Sequence, residues 1–595
     1  AVSSITGALT VAAGKVQIGQ NDLIATGLAG SGTIENGSGT TRWLYINNVS
    51  DNVFSGLMQN GGPAAFGLCK GGAGTLTLTG TNTYSDRTTV RGGALSVGYL
   101  ANTGAGCNLG SANALFLGDN VGTATLLYTG PDVAVDRGFT ANANGGNSAV
   151  IDTASRLTLT GGVAAANGGG FVKRGTGVLT LSNASVSQRL NNGTDGGANV
   201  FGANVANGKL ALKNGTFASA GETVVGGQLQ TGGAYTAAAL DVADGAVYNV
   251  GTWFSVGRGN GTSGLASAVT VNNGVLNQTS ASSGVAMGYW ANVSGFNTKP
   301  TLTLRGTGVV SVAGYLNCGE SGGSDAQLNV QDSAALTLSN ATLANKRIGR
   351  SGKGALNVSG GIVYAGTGLM LGADAGSAGV INLNGGVLDA ASLAKGAGAS
   401  AALSFNGGTL RANTNTANFL PGLTAVNVYA GGAVIDVQSN SVTVAQPLLG
   451  VSGQGVTGVS DVTDATLYAV TPRVAFSAPE SGSDVATGYA LLATNGALAG
   501  IVVAHAGSGY SAAPTLSLNG TPAAATVAIG SEAGGGLTLK GSGTNTLAGA
   551  STYTGATVVD AGTLMLTGSL LTGSLSVTRS EEHTSELQSL LHLVC

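Results

Sequence analysis

Charge is scarce in this 595-residue chain: 24 Lys and Arg and 27 Asp and Glu make up 9% of it and leave a net charge of −3. Ordinary soluble domains carry about 25% charged residues. Nucleic-acid binding is excluded by that scarcity, because phosphates are neutralised by clustered Lys and Arg and no basic run is present. Proline is scarce as well, with 9 residues, and glycine follows no strict triplet, which excludes collagen. No run reaches about 18 consecutive apolar residues, so no membrane-spanning helix is expected. The four cysteines, Cys69, Cys107, Cys318 and Cys595, contain no C-x-x-C pair. A disulfide-stapled scaffold needs more of them and a metal site needs them closer, so the three isolated ones before the tail read as inert strand or turn residues.

What is abundant is glycine, 103 residues, together with a 43% hydrophobic content. That much apolar material can bury a core, which argues against disorder. The opening Ala1-Val2-Ser3-Ser4 carries no signal peptide and reads as a fragment that begins inside a repeat. The middle of the chain repeats one pattern of apolar, polar, apolar, a glycine turn, then apolar again. Val269-Thr270-Val271 precedes Asn272-Asn273-Gly274; Leu356-Asn357-Val358 precedes Ser359-Gly360-Gly361. Ile381-Asn382-Leu383 and Leu403-Ser404-Phe405 are each followed by Asn-Gly-Gly, and looser copies start at Leu302 and Leu328. Alternation of apolar and polar residues marks a half-buried strand, and glycine at fixed places marks turns. A string of β-hairpins would also suit Asn-Gly-Gly. A recurring unit of about 20–30 residues favours stacked coils instead.

A second repeat type lies near both ends. One copy runs from Gly74 through Leu76, Leu78, Gly80, Asn82 and Tyr84 to Thr88-Thr89-Val90 and Gly93-Ala94-Leu95. The other runs from Gly543-Thr544 through Tyr553 and Thr557-Val558-Val559 to Gly562-Thr563-Leu564. A partial copy opens at Lys173-Arg174-Gly175 and continues, after an insertion, at Asn207-Gly208-Lys209. This pattern resembles the autotransporter-associated β-strand repeat of bacterial passenger domains and large surface proteins. Asp86 stands where that family has glycine, and Asn545 replaces the apolar residue seen at Leu76. The family's C-terminal membrane barrel is absent from these residues, so self-translocation is not expected of them. The resemblance implies a β-helix displayed at the surface of a Gram-negative-type bacterium.

Two regions break the pattern. Residues 456–535 contain Pro472, Pro479, Pro514 and Pro522 and read as an irregular β insert. Residues 579–595 hold no glycine, and Ser585 with Gln588 and the Leu587, Leu590, Leu591 spacing would suit a helix. The string Arg579 to Ser589 looks like a translated sequencing adapter, so this tail is expected to be non-native.

Chemistry is thin. Outside the tail the one histidine is His505, in a Gly- and Ala-rich stretch that reads as a surface loop. Gly259 to Gly264 matches G-x-G-x-x-G without strand–helix context, and Ser351-Gly352-Lys353-Gly354 lacks the Ser or Thr of a phosphate loop. Asp325, Asp332 and Asp374 read as solvated turn residues rather than calcium ligands. A polysaccharide lyase or hydrolase would have to be built from Asp325, Asp332, Lys346, Arg347, Arg350 and Lys353, and the 346–350 run reads as one solvated turn.

The sequence therefore predicts an all-β, right-handed parallel β-helix (β-solenoid) with Gly-, Thr- and Asn-rich turns. Repeats are expected over 1–455, the insert over 456–535, a terminal repeat over 536–578 and the foreign tail over 579–595. Leu76, Leu78, Leu356, Val358, Ile381 and Leu383 are expected inside, and Thr75, Thr77, Asn357 and Asn382 in solvent. No catalytic, cofactor or metal site is expected. Adhesion or surface assembly is the leading function, with surface glycans or like chains as partners. A glycan-active enzyme and a spacer stalk are the alternatives.

Overall fold

The computed structural model describes residues 2–118, 122–143, 147–165, 170–183, 187–191, 203–227, 236–258, 266–289, 298–482, 484–571 and 574–577. The expected tail 579–595, Cys595 and the Gly259–Gly264 motif lie outside the described residues. Two compact units are present, Ala1–Phe254 with Gly274–Asn277, and Ser255–Asn273 with Gln278–Cys595. Among the described residues the one helical element is a single 3-10 turn, Leu343–Asn345, and no helix is long and apolar enough to cross a membrane.

The first unit is a β-solenoid. Each coil contributes one short strand to each of its walls, and the strands of one wall stack in parallel. One wall runs through Val2–Ser4, Asp22–Ala25, Arg42–Asn47, Phe66–Gly71, Thr88–Val90, Leu115–Leu117, Phe139–Ala141 and Val163–Ala165. A second wall includes Thr75–Leu78, Gly93–Val97, Ala124–Tyr128 and Ser148–Thr153. Equivalent residues lie in register, so Leu76 sits beside Leu95, and Leu95 beside Leu126. That stacking turns the two-residue alternation of each strand into apolar columns inside the coil. Leu76 and Leu78 are buried, and Thr75 and Thr77 point outward, half-exposed.

The second unit stacks the Gly-Gly repeats in the same way. One wall runs through Thr301–Arg305, Asp325–Val330, Lys353–Val358, Ala378–Leu383, Ser400–Phe405 and Ala425–Val428, every neighbouring pair parallel. Another passes from Thr409–Ala412 to Ala433–Asp436 and then directly to Leu537–Lys540, whose register is Ala433 with Leu537. The chain between these last two strands leaves the coil and returns to the next one. That excursion builds antiparallel pairs of its own: Gln454–Thr463 with Thr521–Ser531, Val474–Phe476 with Leu516–Leu518, and Thr487–Leu492 with Leu498–His505. Val456, Val474, Phe476, Ala490, Tyr510, Leu516 and Leu518 form its separate core.

The excursion docks on the outer face of the Asp325–Val330 wall, and here the expected exposure is wrong. Leu356, Val358, Ile381 and Leu383 are buried as expected, but Asn357 and Asn382, which point the other way, are buried too, 1% and 2% exposed. On the same outer face, Gln327 reaches the Gly488 carbonyl, and Gln331 accepts from the Tyr489 hydroxyl at 2.9 Å. Arg473 pairs with Asp325 at 2.9 Å. Beneath this cover the polar residues form a ladder along the stack, in which Asn382 Oδ1 alone of the three asparagine oxygens has no partner among the described residues. Asn382 donates to Asn357 Oδ1 at 2.8 Å, Asn357 to Asn329 Oδ1 at 2.7 Å, and Asn329 to Thr303 Oγ1 at 3.1 Å.

Candidate functional site

The signature residues of the end repeats serve the stacking of coils. Tyr84 is fully buried, packs edge-on against Phe66, and shares a 2.6 Å hydrogen bond with Thr88 Oγ1. Tyr553 and Thr557 repeat that pair at 2.5 Å. Burial raises both tyrosine pKa values. Asn82 joins three coils, accepting from the Met58 amide and donating to the Asn108 carbonyl. In the last repeat Ser551 takes that place and accepts from the Leu448 amide. Gly93 and Gly562 both have positive φ, 63° and 76°, and a Cβ there would meet carbonyl oxygens at 2.6 and 2.3 Å. No other residue fits that corner without strain.

Lys70, Lys173 and Lys346 are enclosed. Lys70 Nζ donates to the carbonyls of Gly71, Gly72 and Gly92 at 2.6, 3.1 and 3.0 Å, which ties one coil to the next. Lys173, at the matching position of the partial repeat, holds Gly175 and Asn207. In the last repeat Leu539 occupies the place. Lys346, expected in a solvated turn, is buried and donates to Ala365 O and Thr367 Oγ1. Burial pushes each of the three ammonium groups down to about 8. The carbonyls replace the hydration that the charge gives up.

The remaining candidate residues do not converge. Arg347 donates to Asn317, Arg350 pairs with Glu320, and Lys353 is exposed. Burial raises the Glu320 pKa against the pull of Arg350. Asp325 is taken by Arg473, and Asp332 has φ 55° and accepts from the Gly306 amide. Asp374 accepts from Ser351 Oγ at 2.5 Å. Among the described residues no group of three His, Cys, Asp or Glu is placed to hold a metal ion. Cys69, Cys107 and Cys318 are buried free thiols, and burial pushes the Cys318 thiol up to about 12, away from the reactive thiolate.

His505 is not a loop residue. It ends the strand Leu498–His505 with its side chain 12% exposed, and Nε2 lies 2.7 Å from Asp484 Oδ1. Asp484 Oδ2 also accepts from Tyr429 of the coil at 2.7 Å and from Ser508 at 2.9 Å. The Tyr429 hydroxyl and His505 Nε2 are 3.3 Å apart. Glu532 is buried nearby, and burial raises its pKa. The cluster contains Ser, His and Asp, but in the wrong order for nucleophilic catalysis. Ser508 bonds to the carboxylate, whereas an activated hydroxyl must bond to the base. What this arrangement does is clasp the excursion to Tyr429.

One outer face was missed in the sequence. In the first unit, Trp43, Arg87 and Phe116 come together from three of four successive coils. The Arg87 guanidinium lies 4.9 Å from the Trp43 ring centre and 5.2 Å from that of Phe116. Residues 43, 87 and 116 share no repeat period, so only the lengths of the intervening coils bring them together.

Parallel stacked coils with glycine corners define a β-solenoid. Comparison with known proteins agrees. Residues 68–97, 171–187 and 537–566 match the Passenger-associated-transport-repeat family. A stretch of 290 residues is 34% identical to "Adhesin BmaC autotransporter" of Brucella suis biovar 1 (strain 1330), covering 47% of this chain and 8% of that protein. No solved structure is a significant match. The chain carries autotransporter passenger repeats, and with them the setting of such repeats, the cell surface or extracellular space of a Gram-negative bacterium.

Proposed function

We infer that this chain is an adhesive stretch of a surface-displayed passenger. The likeness of about half the chain to an adhesin autotransporter carries the reading. The structure supports it through chemistry: the titratable residues in its enclosed places hold coils together or clasp the excursion. An enzymatic role is not part of this reading, because neither Asp325 nor Asp332 faces a second free carboxylate or base, as glycoside cleavage requires. In this reading the repeats span 1–455, the β insert 456–535 and the terminal repeat 536–578, with 579–595 a non-native tail. Surface glycans or like chains are the partners.

The test is binding of the purified chain to cultured host cells and to an immobilised glycan panel, with reducing-sugar release measured in parallel. Saturable binding without turnover is expected. Turnover abolished by Asp325→Asn or Asp332→Asn would overturn the reading in favour of an enzyme. Absence of binding to every surface would overturn it in favour of a spacer.

A further inference from the structure

We propose that the outer face of the wall from Arg42–Asn47 to Val163–Ala165 binds an extended acidic polysaccharide, with the Trp43–Arg87–Phe116 stack as its anchor. The assignment rests on the adhesive reading above. It starts from register. Tyr45, Cys69, Thr89, Phe116, Thr140 and Ala164 are neighbours in one outward row. Trp43 and Gly67 begin the row beside it. A Cβ on Gly67 would stand 3.0 Å from three atoms of the Trp43 ring, so the indole leans across the glycine toward Arg87. Trp43, Tyr45 and Phe116 are all partly exposed, and Arg87 is exposed.

Aromatics are 5% of this chain and charged residues 9%, yet this face gathers three aromatic rings with Arg87 and Arg91. Two carboxylates that border it are held by its backbone: Asp22 accepts from the Trp43 amide at 3.0 Å and Asp86 from the Arg87 amide at 2.8 Å. Beyond Phe116 the floor drops into an open groove of about 630 Å³, lined by Thr140, Ala164, Gly138, Gly161 and Gly162. A second groove of about 460 Å³, with Arg91 and Asn47 on its walls, opens beside the same wall.

These parts select a ligand class. A guanidinium held between two rings is fixed in orientation and presents paired N–H donors, the match for a carboxylate or sulfate. Aromatic rims give apolar contact to a flat, C–H-rich partner. The low floor of small residues admits a chain of rings rather than a bulky folded domain. From the strand of Trp43 to the strand of Ala164 are five strand spacings, about 24 Å, which calls for an extended oligomer rather than a single sugar. Uronate-type polysaccharide meets all three demands. An acidic peptide supplies the carboxylates and the length but no flat, C–H-rich ring for the aromatic rims.

The test is calorimetry of the full chain with polygalacturonate oligomers, their neutral methyl esters, and polyglutamate of matched charge. The chain is expected to bind polygalacturonate, with methyl esters and polyglutamate at least about tenfold weaker. Trp43→Ala, Phe116→Ala and Arg87→Ala are each expected to weaken binding about tenfold at unchanged melting temperature. Arg87→Lys is expected not to restore it. If Trp43→Ala unfolds the chain, the exposed Arg87 variants carry the test. Lack of polygalacturonate binding, or unchanged binding by the variants, overturns the assignment, and equal competition by polyglutamate replaces the glycan with an acidic peptide. Host-cell binding that survives in these variants would leave adhesion standing while removing this face from it, whereas wild-type protein that binds no cell or glycan removes the adhesive reading itself.

Discussion

Leu383→Asp is expected to destabilise the second unit by about 4 kcal/mol or more, because it removes a core leucine and buries an unpaired carboxylate. Leu383 is fully buried between Val358 and Phe405 of the neighbouring coils. Its neighbour Asn382 is the more informative position. On sequence grounds Asn382→Asp would be a surface change costing about half a kcal/mol. The structure predicts about 2–3 kcal/mol, since the carboxylate would set an oxygen against Asn357 Oδ1, where the amide now donates, and would be buried beneath the excursion. Thermal unfolding of both variants checks this. A negligible loss for Asn382→Asp would show that the ladder is open to water and the excursion is not docked on it.

Asn545→Leu is expected to raise stability by about 2 kcal/mol, an unusual direction for a single change. Asn545 stands in register between Val442 and Leu564 and faces the core, 1% exposed. Neither its Oδ1 nor its Nδ2 has a hydrogen-bond partner among the described residues. The first repeat has the buried Leu76 at the equivalent place. Leucine there would remove two unsatisfied polar groups and add apolar burial. A higher melting temperature for Asn545→Leu is the expected result, and a lower one would mean that the amide is held by contacts the fold does not provide.

The stacking of coils was legible because its signal is periodic. Leu356-Asn357-Val358 and Ile381-Asn382-Leu383 carry the strand alternation, and recurring glycines mark the corners. The departure at Asn545 was legible as well, because a second copy of the repeat supplied Leu76 for comparison. Burial of the asparagine ladder was not legible, since it depends on Tyr489 and Arg473, more than a hundred residues downstream of the strands they cover. Lys346 was misplaced because a run of Lys and Arg reads as a solvated turn, and the enclosure of Lys70 and Lys173 was not anticipated at all. A signal was present: Lys70 and Lys173 fall at the same position relative to Gly72 and Gly175, which a solvated residue has no reason to do. His505 was misplaced because its partner Asp484 lies across a hairpin and Tyr429 in the coil beneath.

Successive repeats stack in parallel register rather than folding into separate hairpins. That stacking is tested most directly by cross-linking Thr337→Cys with Tyr364→Cys. These two outward residues are register partners on neighbouring coils, with Cα atoms about 4.8 Å apart, within disulfide range. Mild oxidation followed by tryptic peptide mapping should show the bond in most of the folded protein. The pair Thr337→Cys with Val363→Cys should remain reduced, since Val363 faces the core. A failure of the first pair to close, or closure of both pairs alike, would contradict the stacked solenoid.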